Sequence, residues 1–367
     1  RIKSENGYCL ATLDEVKKGI EEGFAKFEAE GISDKDLKRI KAGQETNFYR
    51  SLSSVLGKGT NLASYNTYTG NPGFVSEDIK RTLSVTKEDV MRVYNKYIKN
   101  KNYVATSFVP KNSKELALKG SVLADVVEEK IVQGAEENFN PKLAAAYKKT
   151  PSKINRSTEP PYGKTPSLAV PKVYESNLEN GLKIFGIENN EVPLVRFNLT
   201  IDGGQLLESM DKLGVANLTA ELLNKGTKNK TVKQLEEEIQ NLGASIFIYS
   251  NKENITISGT TLAKNYNETL ALAEEMLLSP RFDEKEFELL KKATISNLRQ
   301  QAARPNSVAR NAYNELIYGK NNIRSKNTLG TIESVEKIKL EDIKQFYKKF
   351  FSPSVSKFLV VGNINQK

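Results

Sequence analysis

The stretch "IKLEDIKQFYKKFF" (338–351) places Ile343, Phe346, Tyr347 and Phe350 along one face of a helix. It aligns without a gap on "VTKEDVMRVYNKYI" (85–98), where Val90, Val93, Tyr94 and Tyr97 take the same places. Each copy leads into a β-rich run, "YVATSFV" (103–109) after the first and "SKFLVVG" (356–362) after the second. Upstream, "GISDKDLKRIKA" (31–42) resembles "RFDEKEFELLKKA" (281–293), pairing Ile32 with Phe282, Leu37 with Phe287 and Ile40 with Leu290. Two matched blocks in the same order and at nearly the same separation argue for a duplicated unit. A unit that mixes strands with paired helices points to an α+β sandwich, its helices packed on one face of an antiparallel-rich mixed sheet.

Working outward from the repeat, residues 12–29 carry Val16, Ile20, Phe24 and Phe27 at helical spacing. Ser33, with Asp36 three residues on, is an N-cap for a second helix, and Thr86 caps a third over about 86–98. "GKGTN" (57–61) is too short for a phosphate loop and reads as an ordinary loop. Residues 112–140 begin helically and turn acidic. The segment 149–173 holds Pro151, Pro160, Pro161, Pro166 and Pro171, five of the chain's 12 prolines, and reads as an extended linker. Beyond it, 182–188 and 195–201 are strands, with Gly203–Gly204 breaking the second. Helices follow at 211–225 and 231–243, then a hairpin of "SIFIYS" (245–250) and "NITISGT" (254–260) across "NKE". Helices at 266–278, 284–302 and 340–350 and the strand 356–362 complete the pattern.

Composition narrows the function classes. Apolar residues at 38% and charged residues at 27% describe a chain that folds in water, and 367 residues suffice for two cores. The longest apolar runs fall well short of the ~20 residues that span a bilayer. Its 55 Lys and Arg against 45 Asp and Glu give a net charge of +10. The basic residues are scattered among acidic ones, without the stripe and stacking aromatics of a nucleic-acid surface. Cys9 is the single cysteine and there is no histidine, so neither an internal disulfide nor a thiolate or imidazole metal cluster can form from this chain alone. The opening "RIKSENGY" has no initiator Met, and the chain is read as a mature, trimmed or partial product.

Between the first strands and the hairpin lies "GVANLTAELLNKGT" (214–227). Taken alone, it is an ordinary helix with a Gly-Thr exit whose Leu218, Leu222 and Leu223 pack inward. Its surroundings add a second reading. "NGLKIFGIENNEVPLVRFNLTIDGG" (180–204), "GVANLTAELLNKGT" and "LGTIESVEKIKLEDIKQFYKKFFSPSVSKFLVVGNI" (329–364) together resemble the pitrilysin-like (M16) zinc metallopeptidase superfamily, which includes the mitochondrial processing peptidase and the bc1 core proteins. The resemblance covers about 1–110 and 172–367. It implies the M16/LuxS-like fold and places 214–227 on the helix that carries the inverted motif His-x-x-Glu-His. In that motif two imidazoles one turn apart bind zinc, the Glu between them activates the bound water, and a later Glu is the third ligand. Here the first His position is Asn217, the base position Ala220, the second His position Glu221 and the third-ligand position Asn297. All four depart, while Gly214, Ala216, Lys225, Gly226 and Thr227 agree.

Further implications follow from the same resemblance. Arg1 and Tyr8 match an Arg-and-Tyr segment that faces substrate in family members; the other reading is a frayed terminus. The family adds an extended peptide to a strand edge near the motif helix, for which "SIFIYS", with Ile246 and Ile248, is the candidate here; a core hairpin strand fits those residues equally well. Three regions are expected: 1–110 as the end of a first M16-like unit, 111–171 as acidic helix and linker, and 172–367 as a second subdomain with the degenerate motif. The implied role is the non-catalytic portion of a zinc peptidase, forming chamber wall and binding peptide or unfolded polypeptide. Zinc and hydrolysis would belong to an M16-like half outside this chain, in cis or in trans. The alternatives are a catalytically inactive peptide-binding or assembly subunit, and an unrelated α+β binding module. The resemblance is to bacterial, exported proteins, which implies a periplasmic or membrane-associated envelope setting.

Overall fold

The computed structural model describes residues 12–110, 112–124 and 169–365, with scattered positions between 155 and 167. Arg1 and Tyr8 lie outside the described residues. The chain divides into two compact units, one holding 12–29 with the described positions of 101–170, the other 30–100 with 171–365.

The first unit contains helix α1 (Leu13–Glu30), and Asp14 accepts a hydrogen bond from the Lys119 amide. The run 103–109, expected as a strand, is not one. A strand exists only by pairing its backbone groups, and no partner strand lies alongside it among the described residues; Val104 and Phe108 are accordingly exposed. The expected helix from 112 shrinks to a 3₁₀ turn at Lys114–Leu116, and its continuation past 124 lies outside the described residues.

The second unit starts with four helices: α2 (Asp34–Ser51), α3 (Val55–Thr69), α4 (Val75–Ser84) and α5 (Lys87–Tyr97). Ser33 caps α2 through the Asp36 amide, and Thr86 and Asp89 form a reciprocal capping box on α5, as their spacing predicts. "GKGTN" is not a loop but lies inside α3, whose Ser54 accepts from the Gly57 amide. The cap and the contacts of α3 with α2, α4 and the Pro72–Phe74 turn outweigh the weak helix propensity of the two glycines.

After the linker come β1 (Tyr174–Asn177), β2 (Lys183–Glu188) and β3 (Leu194–Asp202), then α6 (Val215–Leu223) and α7 (Val232–Asn241). The hairpin β4 (Ser245–Ser250) and β5 (Asn254–Leu262) follows. Helices α8 (Tyr266–Leu278), α9 (Glu284–Ala302), α10 (Pro305–Tyr318), α11 (Ile332–Lys337) and α12 (Leu340–Phe350) precede the last strand, β6 (Ser356–Gly362). The strands form one sheet of order β1-β2-β6-β3-β5-β4, in which only β2 and β6 run parallel. The long helical crossover between β2 and β6 is what a parallel pairing requires. Alternation sorts the faces: Val195, Phe197, Ile201, Ile246 and Ile248 point into the core, while Arg196, Asn198, Phe247 and Tyr249 point out. Helices α6, α9 and α12 supply the other half of that core through Leu218, Leu222, Leu223, Phe287, Leu298, Ile343 and Phe346.

The sequence repeat is visible at the helix caps. Asp36 and Glu286 donate their amides to Ser33 and Asp283, and Asp89 and Asp342 accept from the Thr86 and Lys339 amides. Burial differs between the copies. Phe287 and Phe346 are buried, whereas their counterparts Leu37 and Val93 are half-buried and exposed. The later copy packs on the six-stranded sheet. The earlier copy packs through α2 on α7, where Arg39 donates to Gln240 and Lys35 pairs with Glu237.

Candidate functional site

Helix α6 is short and apolar, with Val215, Ala216, Leu218, Thr219, Ala220, Leu222 and Leu223 all buried. Nine residues do not hold a helix in water; burial holds this one, at about 1.5–3 kcal/mol for each fully covered Leu. Its start is fixed by Gly214 at φ 98°, where an added Cβ would lie 2.6 Å from the Leu329 carbonyl oxygen. Its exit is fixed by Gly226 at φ 91° and by Thr227, which is fully buried. The Thr227 hydroxyl donates to Glu275 at 2.7 Å and accepts from the Lys230 amide at 3.0 Å. Glu275 also accepts from Lys230 Nζ at 2.6 Å and Asn229 Nδ2 at 3.2 Å. The positions at which 214–227 agrees with the family motif therefore build the helix and its turns.

The positions at which it departs are the chemical ones. Asn217 and Glu221, one turn apart, share a face of α6; Asn217 is half-buried and Glu221 exposed. Ala220 is 0% exposed, its methyl part of the core. Helix α9 packs against α6, and its Asn297 is exposed with its side-chain carbonyl accepting from Gln301 Nε2 at 3.1 Å. This donor set does not fit zinc. Two neutral amides, a methyl and one carboxylate replace two imidazoles, a base and a second carboxylate. Among the described residues no group of three or more His, Cys, Asp or Glu is placed to hold a metal.

Two residues beside this helix escaped the sequence reading. Glu208 is buried, and its two carboxylate oxygens accept from the Gly214 amide at 2.9 Å and the Ala216 amide at 2.8 Å. It caps the N-terminus of α6 from outside the helix. Burial pushes its carboxyl up to about 7, against the pull of those two amide bonds. Asn224 closes the other end. Its Nδ2 donates to the Ala220 carbonyl at 2.9 Å and to the Ile248 carbonyl at 2.8 Å, and its Oδ1 accepts from the Ile248 amide at 3.0 Å. Glu208 lies six residues before Gly214, outside any cap spacing; Asn224 stands at an ordinary helix-stop position, but its second partner, Ile248, is on another element.

Strand β4 is an edge of the sheet, as a strand that adds a peptide has to be. The Ile246 and Ile248 side chains are buried, and the Ile248 backbone is already bonded to Asn224. On the opposite face of the strand Phe247 is 63% and Tyr249 46% exposed.

Comparison with known proteins places this unit. Residues 184–329 match the family described as Insulinase (Peptidase family M16). The chain is 29% identical over 174 residues to the non-peptidase homolog YmxG of Helicobacter pylori, which covers 47% of this chain and 40% of that protein. It is 22% identical over 200 residues to a probable mitochondrial-processing peptidase subunit beta of Arabidopsis thaliana, covering 54% of this chain and 38% of that one. The chain thus spans about two fifths of the length of these curated relatives. In fold it is similar to a peptidase M16 inactive domain from Pseudomonas fluorescens, with a TM-score of 0.51 and 22% identity over 53% of this chain and 47% of that one. A protease from Helicobacter pylori gives a TM-score of 0.51 and 21% identity over 54% of this chain and 48% of that one. No described helix is long and apolar enough to cross a membrane. Residues 184–329 thus carry an M16-family match, and the fold around them is similar to that of M16 peptidase domains.

Proposed function

We propose that this chain is a non-catalytic part of a zinc-dependent peptidase system: it forms chamber wall and binds an extended peptide, and hydrolysis belongs to a zinc-bearing M16-like half outside it, in cis or in trans. The observation that carries this reading is the split within 214–227. Gly214, Gly226 and Thr227 keep helix α6 in place, while Asn217, Ala220, Glu221 and Asn297 supply no imidazole and only the single carboxylate of Glu221. The edge of β4 beside that helix, covered by Asn224 at Ile248, gives a surface on which a peptide pairs through its backbone. Likeness to a non-peptidase homologue and to an inactive domain supports the same reading. The division into 1–110, 111–171 and 172–367, with the first region closing an earlier M16-like unit and Arg1 and Tyr8 facing substrate, belongs to this proposal.

The test uses the 367-residue chain with a labelled unfolded polypeptide, with and without added zinc. Binding without cleavage in both conditions, and zinc-dependent cleavage once a zinc-bearing M16 half is added, is the expected result. Chelator-sensitive cleavage by this chain alone overturns the proposal, and so does a failure to bind any extended peptide. One observation favours an assembly role in place of peptide capture. Helix α10 buries none of its residues and exposes Val308, Tyr313, Leu316 and Ile317. A chain that associates with an M16 half but ignores peptide would select that reading.

A further inference from the structure

The peptide-binding edge proposed above has a side chain lying on it. In an antiparallel pair, alternate residues direct both backbone groups at the partner strand, and the residues between direct both groups away. The hairpin fixes the parity: the Asn251 amide donates to the Asn254 carbonyl, and the register of β4 on β5 continues from that pair. Phe247 and Tyr249 therefore bond to β5, and Ile246, Ile248 and Ser250 face outward. The two Asn224 contacts confirm the assignment, because they take up the N–H and the C=O of Ile248 together.

A carboxamide that accepts from the N–H and donates to the C=O of one residue reproduces the paired bonds an adjoining strand would make there. We infer that Asn224 is a specificity-determining residue of the β4 edge: it stands in for an added strand at Ile248, leaves pairing open at Ile246 and Ser250, and gives way before an extended peptide can pair along the whole strand. This rests on the edge-binding reading and states what governs it. The placement is built, not incidental. Asn224 is the C-cap of α6, and the second hydrogen of its Nδ2 satisfies the Ala220 carbonyl, one of the helix's terminal acceptors. The side chain is thus held at both ends, by the helix it closes and by the strand it covers. The occupant it excludes is an extended peptide with apolar side chains at alternate positions. Such a peptide sets those side chains beside the exposed rings of Phe247 and Tyr249 as cross-strand neighbours.

The experiment compares the wild-type chain with Asn224→Ala, using a fluorescein-labelled ten-residue peptide that alternates Val and Thr. Anisotropy gives affinity, and amide hydrogen exchange reports Ile246, Ile248 and Ser250 separately. Two net hydrogen bonds no longer have to be broken in the variant, so it binds roughly tenfold tighter or more. In the free protein its Ile248 amide exchanges faster than in wild type, and peptide protects all three outward amides. Equal affinity in both proteins, with the three amides protected, overturns the role of Asn224 and leaves edge binding standing. No binding by either folded protein overturns edge binding and this inference together. If Asn224→Ala does not fold, Asn224→Asp takes its place. It keeps the acceptor for the Ile248 amide but sets a carboxylate against the Ile248 carbonyl. Tighter binding than wild type by this variant supports the inference, and unchanged or absent binding overturns it.

Discussion

Glu208 sets two physical effects against each other, and the variant Glu208→Gln measures which one wins. Burial disfavours a charged carboxylate. Two amide donors at the N-terminus of α6 favour it, and so does the helix dipole. The balance lies with burial, which raises the carboxyl from 4.5 to about 7. A carboxyl raised in the folded state holds its proton while its unfolded counterpart has lost it. The folded state therefore binds more protons between pH 4.5 and 7, and stability falls as pH rises through that window. A shift of this size is worth about 3 kcal/mol, complete above pH 7. Gln cannot titrate. It keeps one acceptor, but its NH₂ opposes the second amide, a roughly constant cost of about 1–3 kcal/mol. Urea unfolding of both proteins at pH 4.5, 6, 7 and 8 separates the two contributions. At pH 4.5 wild type is the more stable; by pH 8 its advantage has shrunk by about 3 kcal/mol and is lost or reversed. Subtracting the variant's curve removes every other titrating group. Parallel curves would show that the carboxyl is not shifted. An advantage that grows with pH would show that the two amides and the dipole, not burial, set its state.

Three further outcomes follow from the packing. Gly214→Ala drives a Cβ to 2.6 Å from the Leu329 carbonyl oxygen at φ 98° and lowers stability by about 2 kcal/mol or more, read as a drop in the urea midpoint. Phe287→Ala, at a site 1% exposed, costs about 3–5 kcal/mol, whereas Leu37→Ala at the matching position of the earlier copy costs less than half as much; equal losses would contradict the asymmetry of the two copies. Glu275→Ala strands the Thr227 hydroxyl and Lys230 beside the exit of α6 and costs about 1–3 kcal/mol, with a melting curve as the check.

The later part of the fold was legible because its signals are local. Strands β3, β4 and β5 alternate, α8 and α9 carry helical periodicity, and Gly243 stops α7. What could not be read depended on partners distant in sequence. The run 103–109 has the composition of a strand, but composition supplies no neighbour to pair with. Helix α3 was hidden by two glycines that one Ser cap and tertiary contacts offset. At the site, Asn217, Ala220, Glu221 and Asn297 were visible as departures from a pattern. Glu208 and Asn224 were not, since a cap that arrives from six residues upstream, or a carboxamide that closes a strand edge, leaves no spacing rule behind.

The same contrast separates the residues that hold α6 in place from the positions at which the motif would carry its chemistry. Asn217, Glu221 and Asn297 are none of them buried, so the packing of α6 on α9 does not fix what stands there. Gly214, Gly226 and Thr227 are different, because a Cβ at either glycine meets a carbonyl oxygen and removing the Thr227 hydroxyl leaves Glu275 short of a donor. Ala220 belongs to that packing. At 0% exposed it contributes its methyl to the core, so a Glu placed there would bury a carboxylate with no cation to balance it. The helix now serves to present its ends: Glu208 anchors one, and Asn224 ties the other to Ile248 on the edge of the sheet. Helix α6 thereby positions the strand beside it, and that strand is the edge on which the proposed peptide pairs.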